Sequence, residues 1–189
     1  MSRNTFTLIV IAIALQTVSC GQAPAPAQTS GSTARVVSFD TKDGPLRLTY
    51  SDGTVEEIPK ERGRFDRGEG PLIQTAFTAV QISPDSQRAG WLAEYMMCAQ
   101  SYPCAMELVI FRRGDELRHI SGGTGIPWRW AFLHSGKDDI ALHSGFPHGD
   151  DKGYYTLWDS ESGTERGRYF PGNEAAPAWV LQFPSSGDR

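Results

Sequence analysis

The sequence predicts an all-β fold: an antiparallel meander of two blade-like four-stranded units plus an N-terminal hairpin, sandwich-like or a partial propeller. Three observations predict it. From Ala34 onward apolar residues alternate with polar ones or run in stretches of strand length, and none sustains a helical period. The 189 residues include 20 Gly and 12 Pro, a high share that falls mostly between those stretches and marks turns. One strand–turn–strand outline also recurs after about 50 residues, the spacing of propeller blades. A closed propeller takes about four blades or more, so two units and a hairpin cannot complete a ring.

The chain opens on MSRNTFTLIVIAIALQTVSC. Arg3 supplies a positive start, and Phe6 to Leu15 form an apolar run with only Thr7 polar. That run suits the core of a signal peptide and falls short of the roughly 20 residues of a membrane span. Thr17-Val18-Ser19-Cys20-Gly21 resembles a bacterial lipobox, in which a small residue precedes the cysteine. The likeness implies a signal peptide over 1–19 and a lipid on Cys20. Ordinary secretion with cleavage near Ser19, Cys20 or Ala23 is the other reading. Gly21 to Thr33 (GQAPAPAQTSGST) contains no large apolar side chain and reads as a disordered tether. The remainder, 34–189, is expected to be a single all-β domain.

Within it, Arg35–Phe39 and Leu46–Tyr50 read as strands, and Ser51-Asp52-Gly53 turns the chain into Thr54–Ile58. Glu56 to Glu69 carries nine charges in fourteen residues and reads as a solvated loop. The first unit follows: Ala79–Ile82, a Ser83–Gln87 turn, Arg88–Leu92, then Glu107–Phe111, an Arg112–Asp115 turn and Glu116–Ile120. The second repeats it: Trp130–Leu133, a polar turn, Ile140–Leu142, then Tyr154–Trp158, an Asp159–Gly163 turn and Thr164–Tyr169. The repeat aligns Ile82 with Phe132 and Phe111 with Trp158, all four facing the core. Ser121–Gly125 links the units.

Ile82-Ser83-Pro84-Asp85-Ser86-Gln87-Arg88 resembles the Ser-Pro-Asp-Gly-Lys-Arg turn of TolB-like and WD-type propeller repeats, with Ser86 where Gly is commonest. Leu157-Trp158-Asp159 with Ser162-Gly163 is similar to a strand end of the same repeats. Residues 73–182 also resemble a family of small exported bacterial lipoproteins of uncharacterised function, through Gly90-Trp91-Leu92, Ser101-Tyr102-Pro103 and His148-Gly149. The resemblance implies a fold and little chemistry, because such architectures host many functions.

Formal net charge is -4, which disfavours nucleic-acid binding through bulk electrostatics. Cys98 and Cys104 lie in the connection after Arg88–Leu92, and an oxidising compartment favours a structural disulfide between them; free thiols are the alternative. His134, His143 and His148, followed by Asp150 and Asp151, have the residue types of an open zinc site without an established spacing. A hairpin turning at Gly136–Lys137 pairs His134 with Asp139 and His143 with Trp130, which separates the two histidines by about 13 Å. No metal and no cofactor are therefore expected. Ser121-Gly122-Gly123-Thr124-Gly125 fits neither a serine-hydrolase elbow nor a phosphate loop. Trp128, Trp130 and Phe132 alternate along one strand and so share a face, as core or as a binding surface.

These features lead to a non-catalytic cell-envelope protein. It is expected to be exported, anchored to a membrane by an N-terminal lipid on the periplasmic or outer surface, and to bind a protein partner or small ligand. Trp128, Trp130, His143, His148 and Asp150 are the candidate binding surface. The alternative is a small metal-dependent envelope hydrolase using His143, His148 and Asp150.

Overall fold

Twelve strands stack as three antiparallel sheets in the computed structural model, which describes residues 34–42, 44–66, 71–96, 103–121, 123, 125–133, 139–146, 152–172 and 174–183. The first sheet is β1 (Val36–Asp40), β2 (Leu46–Tyr50) and β3 (Val55–Ile58). The middle sheet runs β4 (Arg62–Asp66), β5 (Pro71–Ile82), β6 (Arg88–Tyr95), β7 (Cys104–Arg112) and β8 (Arg118–Ser121). The third is β9 (Ile126–Phe132), β10 (Asp139–Gly145), β11 (Tyr154–Asp159) and β12 (Glu165–Tyr169). A single turn of helix, α1 (Ala178–Leu181), follows. The fold is thus all-β, with the two four-stranded meanders expected.

The charged stretch after β3 is not a loop throughout. Arg62–Asp66 pairs with the start of β5 through Arg62↔Ile73 and Asp66↔Pro71, and Gln74 anchors it. The Gln74 amide donates to the Glu61 carbonyl at 3.0 Å, while the Glu61 amide donates to Gln74 Oε1 at 3.2 Å. Charged side chains do not prevent pairing where a neighbouring strand satisfies the backbone.

The middle sheet is buried on both faces, which makes β6 almost continuously buried. One core lies toward the first sheet and holds Leu46, Leu48, Tyr50, Trp91, Tyr95 and Val109. The other lies toward the third sheet and holds Leu92, Leu108, Ile110, Trp130, Ile140 and Leu142. Each such side chain contributes about 1.5–3 kcal/mol on full burial.

The two meanders repeat in register. In the first, Ala89 is flanked by Ile82 and Phe111; in the second, Ile140 is flanked by Phe132 and Trp158. Ile82 and Phe111 pack in the first core, Phe132 and Trp158 in the second. Both hairpins close alike: the Ser83 amide donates to Arg88 O at 2.9 Å and the Leu133 amide to Asp139 O at 2.8 Å. The Ser-Pro-Asp turn is tied by its own side chains. Ser83 Oγ donates to Asp85 Oδ1 at 2.6 Å and accepts the Arg88 amide at 2.9 Å. Ser86, where the resembling repeats carry Gly, has φ +60°.

Three local expectations are corrected. The hairpin β9–β10 closes at Leu133–Asp139, with five residues, 134–138, between. This odd-numbered connection shifts pairing by one, so His143 opposes Arg129 and not Trp130. A bulge then falls at Trp128, between the pairs His143↔Arg129 and Ser144↔Pro127. It breaks the alternation and sends Trp128 to His143, 5.1 Å between ring centroids, away from Trp130 and Phe132. Finally, Cys104 lies in no connection: it opens β7 opposite Tyr95.

Candidate functional site

Of the expected binding surface, Trp130 is core. Its indole Nε1 donates to Ala79 O at 2.8 Å, and its own carbonyl accepts from Gln81 Nε2 at 2.7 Å, so it clamps the third sheet to the middle one. It is therefore not available as a ligand surface. His143 is buried on the other face of the third sheet, stacked on Tyr155 at 4.3 Å with Phe183 nearby. Its Nε2 lies 3.0 Å from Lys152 O. Trp128 covers Gly145 and Gly153, whose missing side chains leave room for the indole. Cys104 is buried, with Sγ 3.6 Å from Met106 Sδ. Cys20, Cys98, His134, His148, Asp150 and Asp151 lie outside the described residues.

Strand alternation along β7 and β8 instead builds two polar sites, one on each face. On the face toward the third sheet, Arg88, Arg112 and Arg118 share the end of the sheet with Ile110, through Arg88↔Arg112 and Ile110↔Arg118. With Asp115, Glu116, Ser160 and Glu161 they line a cavity of about 110 Å³. Arg88 is 5% exposed, and its guanidinium reaches Asp85 at 3.6 Å and Glu161 at 3.3 Å. Arg118 Nη1 donates to Ser160 O at 3.3 Å, with its aliphatic stem against Gly163.

The Asp159–Gly163 turn delivers Ser160. Asp159 Oδ1 accepts the amides of Ser162 at 2.8 Å and Glu161 at 2.9 Å, and Gly163 takes φ +67°. The Ser162 amide, the Glu161 amide and Arg166 outweigh partial burial and hold the Asp159 carboxyl below its usual range. Ser160 is 3% exposed, and its Oγ has no hydrogen-bond partner among the described residues. The lining thus offers guanidinium donors and carboxylate acceptors.

On the opposite face, toward the first sheet, the same strands present Glu107 and His119. Glu107 is 1% exposed and accepts from Tyr95 Oη at 3.3 Å. His119 Nδ1 lies 3.2 Å from Glu107 Oε1 and Nε2 lies 3.4 Å from Glu61 Oε1. One donor atom from each of the three residues falls within 4.8 Å of the others.

Neither site was among the sequence candidates, although each left a trace. Glu107 occupies an alternating position of β7 otherwise filled by Val109 and Phe111 facing the core, where a charged residue is an anomaly. Arg88 closes the Ser-Pro-Asp turn. Ser160 had no signal, because its burial depends on the facing sheet. No family model, no curated protein and no solved structure matches this chain.

Proposed function

We propose that this is an exported protein, held at a membrane of the cell envelope by a lipid on Cys20, whose β domain binds a small polar ligand. The ligand carries an anionic group for the arginines and hydrogen-bond donors for Asp115, Glu116 and Glu161. What carries the reading is the cavity between the two meanders, where Arg112 and Arg118 converge beside the Asp159–Gly163 turn. The cavity is small and lined almost entirely by polar side chains, which suits a small polar ligand. The Phe6–Leu15 run and Cys20 support export and anchoring, and a Cys98–Cys104 disulfide belongs to the same proposal. Among the described residues, no helix is long and apolar enough to cross a membrane.

The hydrolase alternative draws no support from His143, whose ring is enclosed by Tyr155 and Trp128. Calorimetric titration of the mature protein in detergent with succinate, phosphate and a neutral sugar tests the proposal. Binding of an anion that weakens at least tenfold in Arg112→Gln and several-fold in Arg118→Gln supports it. Equal, weak heats for all three ligands would end it.

A further inference from the structure

The cluster on the other face has the build of a metal site. Glu107 and His119 are preset: they project from adjacent paired strands on one face, and Tyr95 orients the Glu107 carboxylate. Glu61 approaches from the segment before β4, its backbone held by the reciprocal hydrogen bonds with Gln74. The donors come from three separate places in the chain and meet where the first core ends.

Two details distinguish this cluster from a simple ion-paired histidine. His119 Nδ1 and Glu107 Oε1 stand 3.2 Å apart, yet Nδ1 is buried without a hydrogen bond. The pair is close but not aligned along the line joining its atoms. Two ligands of a tetrahedral ion look like this: with bonds of about 2.0–2.2 Å, neighbouring donors stand about 3.3–3.6 Å apart and aim at a point between them. Among the described residues, Glu61 Oε2 likewise has no hydrogen-bond partner and is buried.

We propose that Glu61, Glu107 and His119 bind a first-row divalent ion, with Zn²⁺ as the type case. Imidazole plus two carboxylates is a donor set such ions accept, and three protein ligands leave a position for water or substrate. His119 through Nδ1 and Glu107 form the fixed pair; Glu61 Oε1 stands 3.4 Å from the other ring nitrogen, Nε2, and leaves it to reach the ion. Glu61, whose side chain is 24% exposed, closes on the ion by side-chain rotation. The proposal is independent of the arginine pocket, which lies on the other face of the sheet, and of the His143–Asp151 segment.

Calorimetry on the metal-stripped mature protein with Zn²⁺, and the visible spectrum after adding Co²⁺, test it. One Zn²⁺ per chain at micromolar affinity or tighter is expected, together with a raised unfolding temperature and a Co²⁺ ligand-field band. Glu61→Gln, on the partly exposed segment, is expected to fold and to weaken Zn²⁺ at least tenfold. His119→Gln and Glu107→Gln are expected to abolish the Co²⁺ band. Three results would each overturn the site: no binding, binding unchanged in Glu61→Gln and Glu107→Gln, or binding lost only in His148→Ala.

Discussion

Trp130 of the third sheet lies against Gly90 of the middle sheet, and the missing side chain is what lets the two meanders stack. A Cβ built on Gly90 would stand 2.6 Å from Trp130 Cη2 and 2.6 Å from Ile110 Cδ1. Together with the Trp130 bonds to Ala79 and Gln81, this contact sets the separation of the sheets and hence the cavity between Arg118 and Ser160.

Gly90→Ala is therefore expected to destabilise the domain by about 1–3 kcal/mol through overpacking. Trp130→Phe, which shortens the ring and leaves Ala79 O without its donor, is expected to cost about 2–4 kcal/mol. The double variant should cost less than the two singles together, because the smaller ring vacates the space the new methyl needs. Urea unfolding of all four proteins checks this; strict additivity would contradict it.

Ser86 at φ +60° holds a conformation that suits glycine. Ser86→Gly is expected to leave stability unchanged or raise it by about 0–1 kcal/mol, the relief of strain being partly offset by the freer unfolded chain. Gly114→Ala, at φ +83° in the corresponding turn after β7, is expected to lose about 1 kcal/mol although nothing crowds it. Thermal or urea unfolding checks both; a clear loss in Ser86→Gly or a gain in Gly114→Ala would contradict this reading of the turns.

Acid should unfold the domain through its turns. Burial raises the Asp85 carboxyl, but the Ser83 hydroxyl, the Gln87 amide and Arg88 together hold it below its usual range, as the turn amides hold Asp159. The folded state therefore binds fewer protons than the unfolded state in acid. This contribution is complete above the ordinary aspartate value of about 4 and is lost as pH falls through the lower folded values. Stability measured from pH 7 to 2 is expected to hold to about pH 5 and then fall. Asp85→Asn should start lower and fall less steeply; an unchanged slope would remove Asp85 from the account.

The disulfide proposal has a direct check. Peptide mapping without reductant is expected to recover Cys98 and Cys104 in one linked fragment. Reduction should then cost about 2 kcal/mol of stability, the value for so short a loop. Recovery of two separate thiol peptides from protein purified under non-reducing conditions would contradict it.

The repeat was legible because local turn chemistry carries it. Ser83-Pro84-Asp85 and Asp159 with Gly163 announce their turns in the residues themselves, and alternation placed Ile82, Phe111, Phe132 and Trp158 inward. Pairing across the His134–Asp138 connection was not legible, since one more residue in a turn moves the register by one. The bulge at Trp128 depends on Gly145 and Gly153, distant in sequence, offering room for an indole. Arg118 and Ser160 meet only because two meanders stack, and no local pattern encodes that meeting. The charged strand β4 was hidden for the same reason: its partner, not its composition, makes it a strand.

The central claim is that a small anionic ligand binds between Arg112, Arg118 and Ser160. The most direct measurement is a two-dimensional ¹H–¹⁵N spectrum of the uniformly labelled protein, recorded while the tightest-binding anion of the calorimetric panel is added. Saturable shifts are expected, confined to the side-chain Nε–H signals of Arg112 and Arg118 and the amides of Ser160 to Gly163. Shifts absent there, or centred on Trp128, His143 and Tyr155, would contradict it.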